Sequence, residues 1–129
     1  MENERLEMGK KRLKEVCGEA GERVIASAGE TAPDAAKFIL ENVFGDIFYR
    51  EGLSLMEREM ITVVCILGLG GCEPQLEVHI NGSLNVGIAP EKIIEIFIQC
   101  MPYTGYPRIL NAIRVAKKVF AERNISVAN

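Results

Sequence analysis

Apolar and polar positions along this chain recur with the period of helices. Residues 2–20 are dense in charge, and Leu6, Leu13, Cys17 and Ala20 draw a thin apolar stripe through them, which predicts an amphipathic packing helix. Thr31-Ala32-Pro33-Asp34 has the marks of a second helix start: a hydroxyl cap, a proline early in the first turn and an acid in that turn. The helix so opened carries Phe38, Ile39, Val43, Ile47 and Phe48 until Gly52. Ser54-Leu55-Met56-Glu57 repeats the capping pattern and opens a third, which stops at Gly68, Gly70 and Gly71. Glu73-Pro74-Gln75 opens a fourth, with proline where a missing N–H costs nothing and an acid at the positive end of the dipole. Leu76, Ile80 and Leu84 form its stripe and Gly87 is its stop. Pro90 and Glu91 begin a fifth whose Ile93, Ile94, Ile96, Phe97, Ile98 and Met101 are apolar on nearly every side, which predicts a central or interface position. In the last, after Pro107, Ile109, Ile113, Ala116 and Phe120 follow at steps of four, three and four, and the pattern ends at Arg123.

Two stretches, Ile61 to Ile66 and Ile93 to Ile98, are rich in β-branched residues and suit strands, so a parallel α/β layout competes. Caps and stops bracket segments of about 12 to 20 residues, which is helix length rather than strand length. The expected fold is therefore all-α, a compact bundle of about six to seven helices. At 129 residues the default is a single domain, 1–129, with no fixed-period repeat, low-complexity tract or long linker. The apolar fraction, 48% before the 12 glycines are counted, exceeds the usual ~45–50% once they are included. A chain this short has little interior in which to hide the excess, which points to an oligomer interface; the competing reading is a well-filled core with a few exposed apolar side chains.

Net charge of −3 gives no general attraction for nucleic acid or an anionic membrane. The best basic patch is Arg114, Lys117 and Lys118, on a helical pattern where positive charge suits the dipole near its end. No segment reaches the ~18 apolar residues of a membrane span, and the opening Met-Glu-Asn-Glu-Arg is the opposite of a signal peptide. A soluble cytoplasmic protein is expected. Cys17, Cys65, Cys72 and Cys100 are widely spread, with one histidine in the chain, so no metal centre is expected. Cys65 and Cys100 sit in apolar runs and read as buried small side chains. Cys72 lies between glycines and a helix start, where backbone N–H groups favour a thiolate.

That one histidine, His79, is the side chain whose ordinary titration range suits proton transfer near neutrality. A structural or surface histidine is the commoner finding. Around it, Arg58, Glu59, Cys72 and Gln75 fall at spacings that suit one small pocket. Arg58 and Glu59 equally suit interhelix or intersubunit ion pairs, Arg50 a cap on helix-end carbonyls, and Tyr103 and Tyr106 a packed turn around Gly105.

Several blocks in order resemble the carboxymuconolactone decarboxylase family, distant kin of the alkylhydroperoxidase-D proteins: Phe44-Gly45-Asp46, Tyr49-Arg50, Leu53-Ser54-Leu55 with Arg58-Glu59, Pro74-Gln75-Leu76 with His79-Ile80, Gly82, Leu84-Asn85 and Gly87, and Tyr103, Gly105, Pro107 with Asn111-Ala112. The resemblance covers about residues 33–120. It implies an all-α fold assembled as homotrimers or homohexamers, with a small-molecule substrate bound near subunit contacts. It also implies cofactor-free loss of carbon dioxide from a carboxylated γ-lactone, in catabolism of aromatic acids. Electrons left by the carboxylate flow to the lactone carbonyl, and a proton must then reach carbon. His79 suits that delivery, with Glu59 to orient and charge it; Arg50 or Arg58 suits a substrate carboxylate, and Gln75, Tyr103 and Arg108 complete the candidate binding set. Many relatives have a basic residue where Asn81 stands and small residues where Arg108 stands, so a carboxylate-binding charge has been lost or moved. The peroxidase branch uses Cys-x-x-Cys followed four residues on by histidine. Here Cys72 keeps the first position but Gln75 takes the second, which removes the dithiol cycle. Cys72 and His79 are seven apart, about 10 Å along a helix axis, too far for direct activation of the thiol. A one-cysteine peroxidase, of peroxiredoxin-type activity, and a non-enzymatic oligomer are the alternatives.

Overall fold

The computed structural model describes residues 3–127. They contain six α-helices and no strand, so the chain is all-α as expected and the strand reading of the β-branched runs is excluded for them. Residue 2, where the first helix was expected to open, lies outside the described residues. Two compact units divide the chain, Met1–Leu55 and Met56–Asn129.

In the first unit, α1 spans Glu4–Thr31 and is capped by Asn3, whose side chain accepts from the Leu6 N–H at 3.1 Å. It does not end near residue 20. Gly18 takes φ 60, ψ −152, a conformation that kinks the helix, and helical structure resumes beyond it. Thr31 is consequently the last residue of α1 and not a cap: α2, Pro33–Phe38, follows Ala32, which provides no side-chain bond. The chain continues as a π-helical segment, Ile39–Asp46, and a 3-10 turn, Ile47–Tyr49. Ala36, Leu40, Phe44 and Phe48, at steps of four, are buried along this run, and Glu41 and Gly45 are buried beside them in the π segment. Phe38, Ile39 and Ile47, expected on the apolar face, are exposed.

Two glycines set the approach of α1 to the π segment. A Cβ on Gly9 would stand 2.0 Å from the Leu40 carbonyl oxygen, and one on Gly45 would stand 2.5 Å from that of Arg5, so only glycine lets these backbones meet. Around the contact, Arg5 donates twice to Asp46, at 3.0 and 2.8 Å. This pairing lowers the Asp46 titration below the ordinary aspartate range and raises that of Arg5. Tyr49 donates its hydroxyl to the Met8 carbonyl at 3.2 Å, and the Arg12 guanidinium lies 3.9 Å over the Tyr49 ring.

The second unit holds α3 (Leu55–Leu69), α4 (Glu73–Asn85), α5 (Pro90–Thr104) and α6 (Tyr106–Glu122). Gly70 and Gly71, both at φ 72, make the tight turn between α3 and α4. Helix α6 packs against α4 and α5, and the core gathers Val63 and Leu67 from α3, Leu76 and Ile80 from α4, Ile93 and Phe97 from α5, and Ile109, Ala116 and Phe120 from α6. Each fully buried Val, Leu, Ile or Phe among them contributes about 1.5–3 kcal/mol. Helix α5 is less uniformly buried than its composition suggests, since Ile98 is exposed. So is Ile113 on α6, where the buried stripe also takes in Ala112, Val115 and Val119. Cys100 is buried, as expected; Cys65 is exposed, because Val63 and Leu67 carry the core face of α3 and position 65 falls away from it. Among the described residues no helix is long and apolar enough to cross a membrane.

Candidate functional site

The turn at Gly70 and Gly71 joins α3 to α4, and a side-chain contact between the two helices brings together two residues twenty apart in sequence. Glu59, on α3, is completely buried. Its two carboxylate oxygens lie 3.2 and 3.0 Å from Nδ1 of His79, whose side chain keeps 15% of its surface accessible. With Glu59 ionised, Nδ1 is the donor of this bond, and the contact orients the ring. The other nitrogen, Nε2, makes no hydrogen bond among the described residues. The arrangement is a buried carboxylate holding an imidazole whose far nitrogen is free to exchange a proton.

Helix α4 presents three faces at four-residue intervals. Leu76 and Ile80 enter the core. Gln75 and His79 share a second face, and Ser83, next along it, donates its hydroxyl to the His79 carbonyl at 2.7 Å. On the third face, Glu77 accepts from Lys118 at 2.6 Å, and Arg123 donates to the side chains of Asn81 at 2.9 Å and Asn85 at 2.7 Å. From sequence, Lys118 belongs to a surface patch whose charge suits the dipole near the end of its helix, and Arg123 marks that end. Lys118 and Arg123 instead fasten the face of α4 that turns away from His79, and Arg123 also reaches the Asn81 carbonyl, at 3.3 Å. Neither they nor Ser83 belonged to the expected site. Only the paired side-chain chemistry at steps of four on α4 hinted at the role.

The other expected residues are placed as follows. Arg58 is half-buried on α3 beside Glu59, and its carbonyl accepts the Thr62 hydroxyl at 2.7 Å. Arg50 is exposed in the first unit, directly after the 3-10 turn, with its backbone N–H on the Ile47 carbonyl at 3.1 Å. Gln75 is exposed one turn before His79, and Tyr103 is 82% exposed at the end of α5. Arg108, exposed in the first turn of α6, lies over Gly70: a Cβ there would stand 2.6 Å from its Nε. With Cys72, Glu73 and Asn111 it lines a cleft of about 10 Å³, a space that does not include His79. Cys72 occupies the cap position of α4 but makes no cap bond; its Sγ lies 3.5 Å from the Gly70 carbonyl, the geometry of a thiol donor rather than of a thiolate held by amides. No group of three His, Cys, Asp or Glu side chains converges in metal-binding geometry among the described residues.

The family model of the carboxymuconolactone decarboxylases matches residues 33–118. Similar proteins include a 4-carboxymuconolactone decarboxylase of Acinetobacter baylyi, 27% identical over 97% of this chain and 93% of that protein. An uncharacterized 15.0 kDa protein of Paracoccus denitrificans is 33% identical over 67% of this chain and 65% of its own length. A nitrosuccinic acid decarboxylase of Metarhizium robertsii is 28% identical over 85% of this chain and 77% of that protein.

Proposed function

Since the chain belongs to the carboxymuconolactone decarboxylase family, we propose that it is a cofactor-free carboxy-lyase in which His79 moves the proton. The observation that carries this reading is the buried Glu59 on Nδ1 of His79, with Nε2 left open. In the proposed step the bond from carbon to a substrate carboxylate breaks and carbon dioxide leaves. The electron pair stays on carbon and is delocalised into an adjacent acceptor, for a γ-lactone its conjugated carbonyl. Protonated His79 then gives the Nε2 proton to carbon and recovers one from water. Glu59 stabilises the imidazolium and fixes the ring, and a positioned acid of this kind contributes about 100- to 10,000-fold. Two relatives named as decarboxylases of acids, one a lactone and one nitrosuccinic acid, support the reaction class and leave the acceptor group open. Gln75 on the His79 face and Arg58 beside Glu59 are the proposed substrate contacts.

Thiol peroxidase chemistry at Cys72 has less support, since its Sγ faces a carbonyl and Gln75 stands where a second thiol belongs. Screening carboxylated γ-lactones for carbon dioxide release separates the two. The parent and Cys72→Ser should turn over alike and His79→Gln should not; peroxide consumption abolished by Cys72→Ser, without lactone turnover, would overturn the lyase. Self-association as a trimer or hexamer belongs to the same proposal. Leu69, Tyr106 and Leu110 each expose more than 60% of their surface, and sedimentation at several concentrations should find a species larger than one chain.

A further inference from the structure

The C-terminal end of α6 builds a second concave feature. Asn124 adopts φ 57 and turns the chain back, with its N–H on the Ala121 carbonyl at 3.2 Å and the Ile125 N–H on the Phe120 carbonyl at 2.8 Å. In such a left-handed cap the residue after the turn packs on the apolar end of the helix, and Ile125 and Val127 lie against the core accordingly. The turn leaves a groove of about 350 Å³ walled by Ile94 of α5, Ile113 and Phe120 of α6, and Ile125 and Val127 of the tail. Lys117 is the one charged side chain in its lining.

The cations flanking Lys117 along the chain are engaged elsewhere: Arg114 with Asn111, Lys118 with Glu77 and Glu122, Arg123 with Asn81 and Asn85. The Lys117 side chain makes no hydrogen bond or ion pair among the described residues. One ammonium with no partner among the described residues, in an otherwise apolar lining, complements a molecule with one negative end and one apolar end. The volume sits at the lower end of the ~300–1,000 Å³ typical of small-ligand pockets. A nucleic acid would call for several cations, and a protein partner for far more surface than one groove supplies.

We propose that this groove binds an amphipathic monocarboxylate, its chain against Ile113, Phe120 and Ile125 and its carboxylate on Lys117. The site does not include His79 or Glu59, so it stands or falls independently of the proposed reaction.

The test is a methyl NMR titration of the full chain with octanoate and, as the neutral counterpart, octanol. Octanoate should give saturable shifts at the Ile94, Ile113 and Ile125 methyls. Lys117→Met keeps an apolar stem at an exposed position. It should weaken octanoate by about fivefold, the upper range for a solvent-exposed ion pair, and leave octanol unchanged. The proposal is overturned if those methyls do not respond to octanoate, or if Lys117→Met leaves octanoate binding as it was. It is also overturned if they shift on dilution alone, which would make the groove a contact between copies.

Discussion

Replacing His79 by leucine and by glutamine separates what the buried Glu59 needs from what the reaction needs. Glu59 has no exposed surface, and His79 Nδ1, at 3.0 and 3.2 Å, is its hydrogen-bond partner among the described residues. Leucine removes the donor and leaves a carboxylate buried alone, which costs about 3–5 kcal/mol when one partner of a buried pair is lost. Glutamine keeps an N–H within reach of the carboxylate, so the cost falls to about 1–2 kcal/mol. The gap between the variants, about 2–3 kcal/mol, corresponds to a difference of about 1 M or more in urea midpoint at ordinary slopes. Turnover on a lactone that the parent decarboxylates should fall about 100- to 10,000-fold in both, because both lose the proton-carrying nitrogen. Glu59→Gln, which retains a carbonyl acceptor for Nδ1–H, should lower kcat in the parent and have little further effect in the His79→Gln background, as expected for a group that acts through the imidazole. Equal urea midpoints for leucine and glutamine, or full turnover by His79→Gln, would refute the reasoning.

Three more outcomes test the rest of the molecule. Gly9→Ala puts a methyl against the Leu40 carbonyl, where backbone cannot yield as a side chain does, and should destabilise the first unit by at least about 1–3 kcal/mol in urea unfolding; a loss below half a kcal/mol would contradict the contact. In thiol labelling of the native chain, exposed Cys65 should react first, while Cys17 and Cys100, buried, and in Cys100 further held as thiol because burial raises its titration, should wait for unfolding. Asp46, lowered by Arg5, contributes stability that is present above the ordinary aspartate range and lost as pH falls through its depressed value; carboxyl NMR should find its midpoint below that range and Arg5→Met should return it there.

The parts of this fold that were legible in the sequence are those where one residue decides one local conformation. Pro74, Pro90 and Pro107 sit in first turns, and Gly70, Gly71, Gly87 and Gly105 take positive φ at the breaks, so α3 to α6 fall where caps and stops put them. The first unit was misread for the converse reason. Gly9 and Gly45 serve a backbone contact between elements, and Gly18 a kink within one, and nothing local distinguishes these roles from that of a glycine inside a regular helix. The π segment had no signal of its own, because its buried Leu40 and Phe44 are four apart, a step that an α-helix also takes. For the site, His79 and Glu59 are each visible as titratable residues on helices, but their pairing depends on the α3–α4 turn and entered the reading through family resemblance. Arg123 was visible only as a helix-end charge, since nothing local says that it reaches α4.

The order of these faces on α4 bears on how the site holds its geometry. A histidine on a helix owes its position to the backbone beneath it, and that backbone has freedom to rotate unless other faces are fixed. Here the Leu76–Ile80 stripe is buried, the Glu77–Asn81–Asn85 stripe is bound by Lys118 and Arg123, and the remaining face carries His79. Rotation of α4 by one residue position, about 100°, would bury polar Glu77 and expose Leu76, a cost on both counts. Glu59 therefore needs only to set the ring, because the helix that carries the ring is already fixed about its axis. A buried acidic side chain is an expensive device for orientation, and in the proposed reaction its return is the charge it places beside the imidazole.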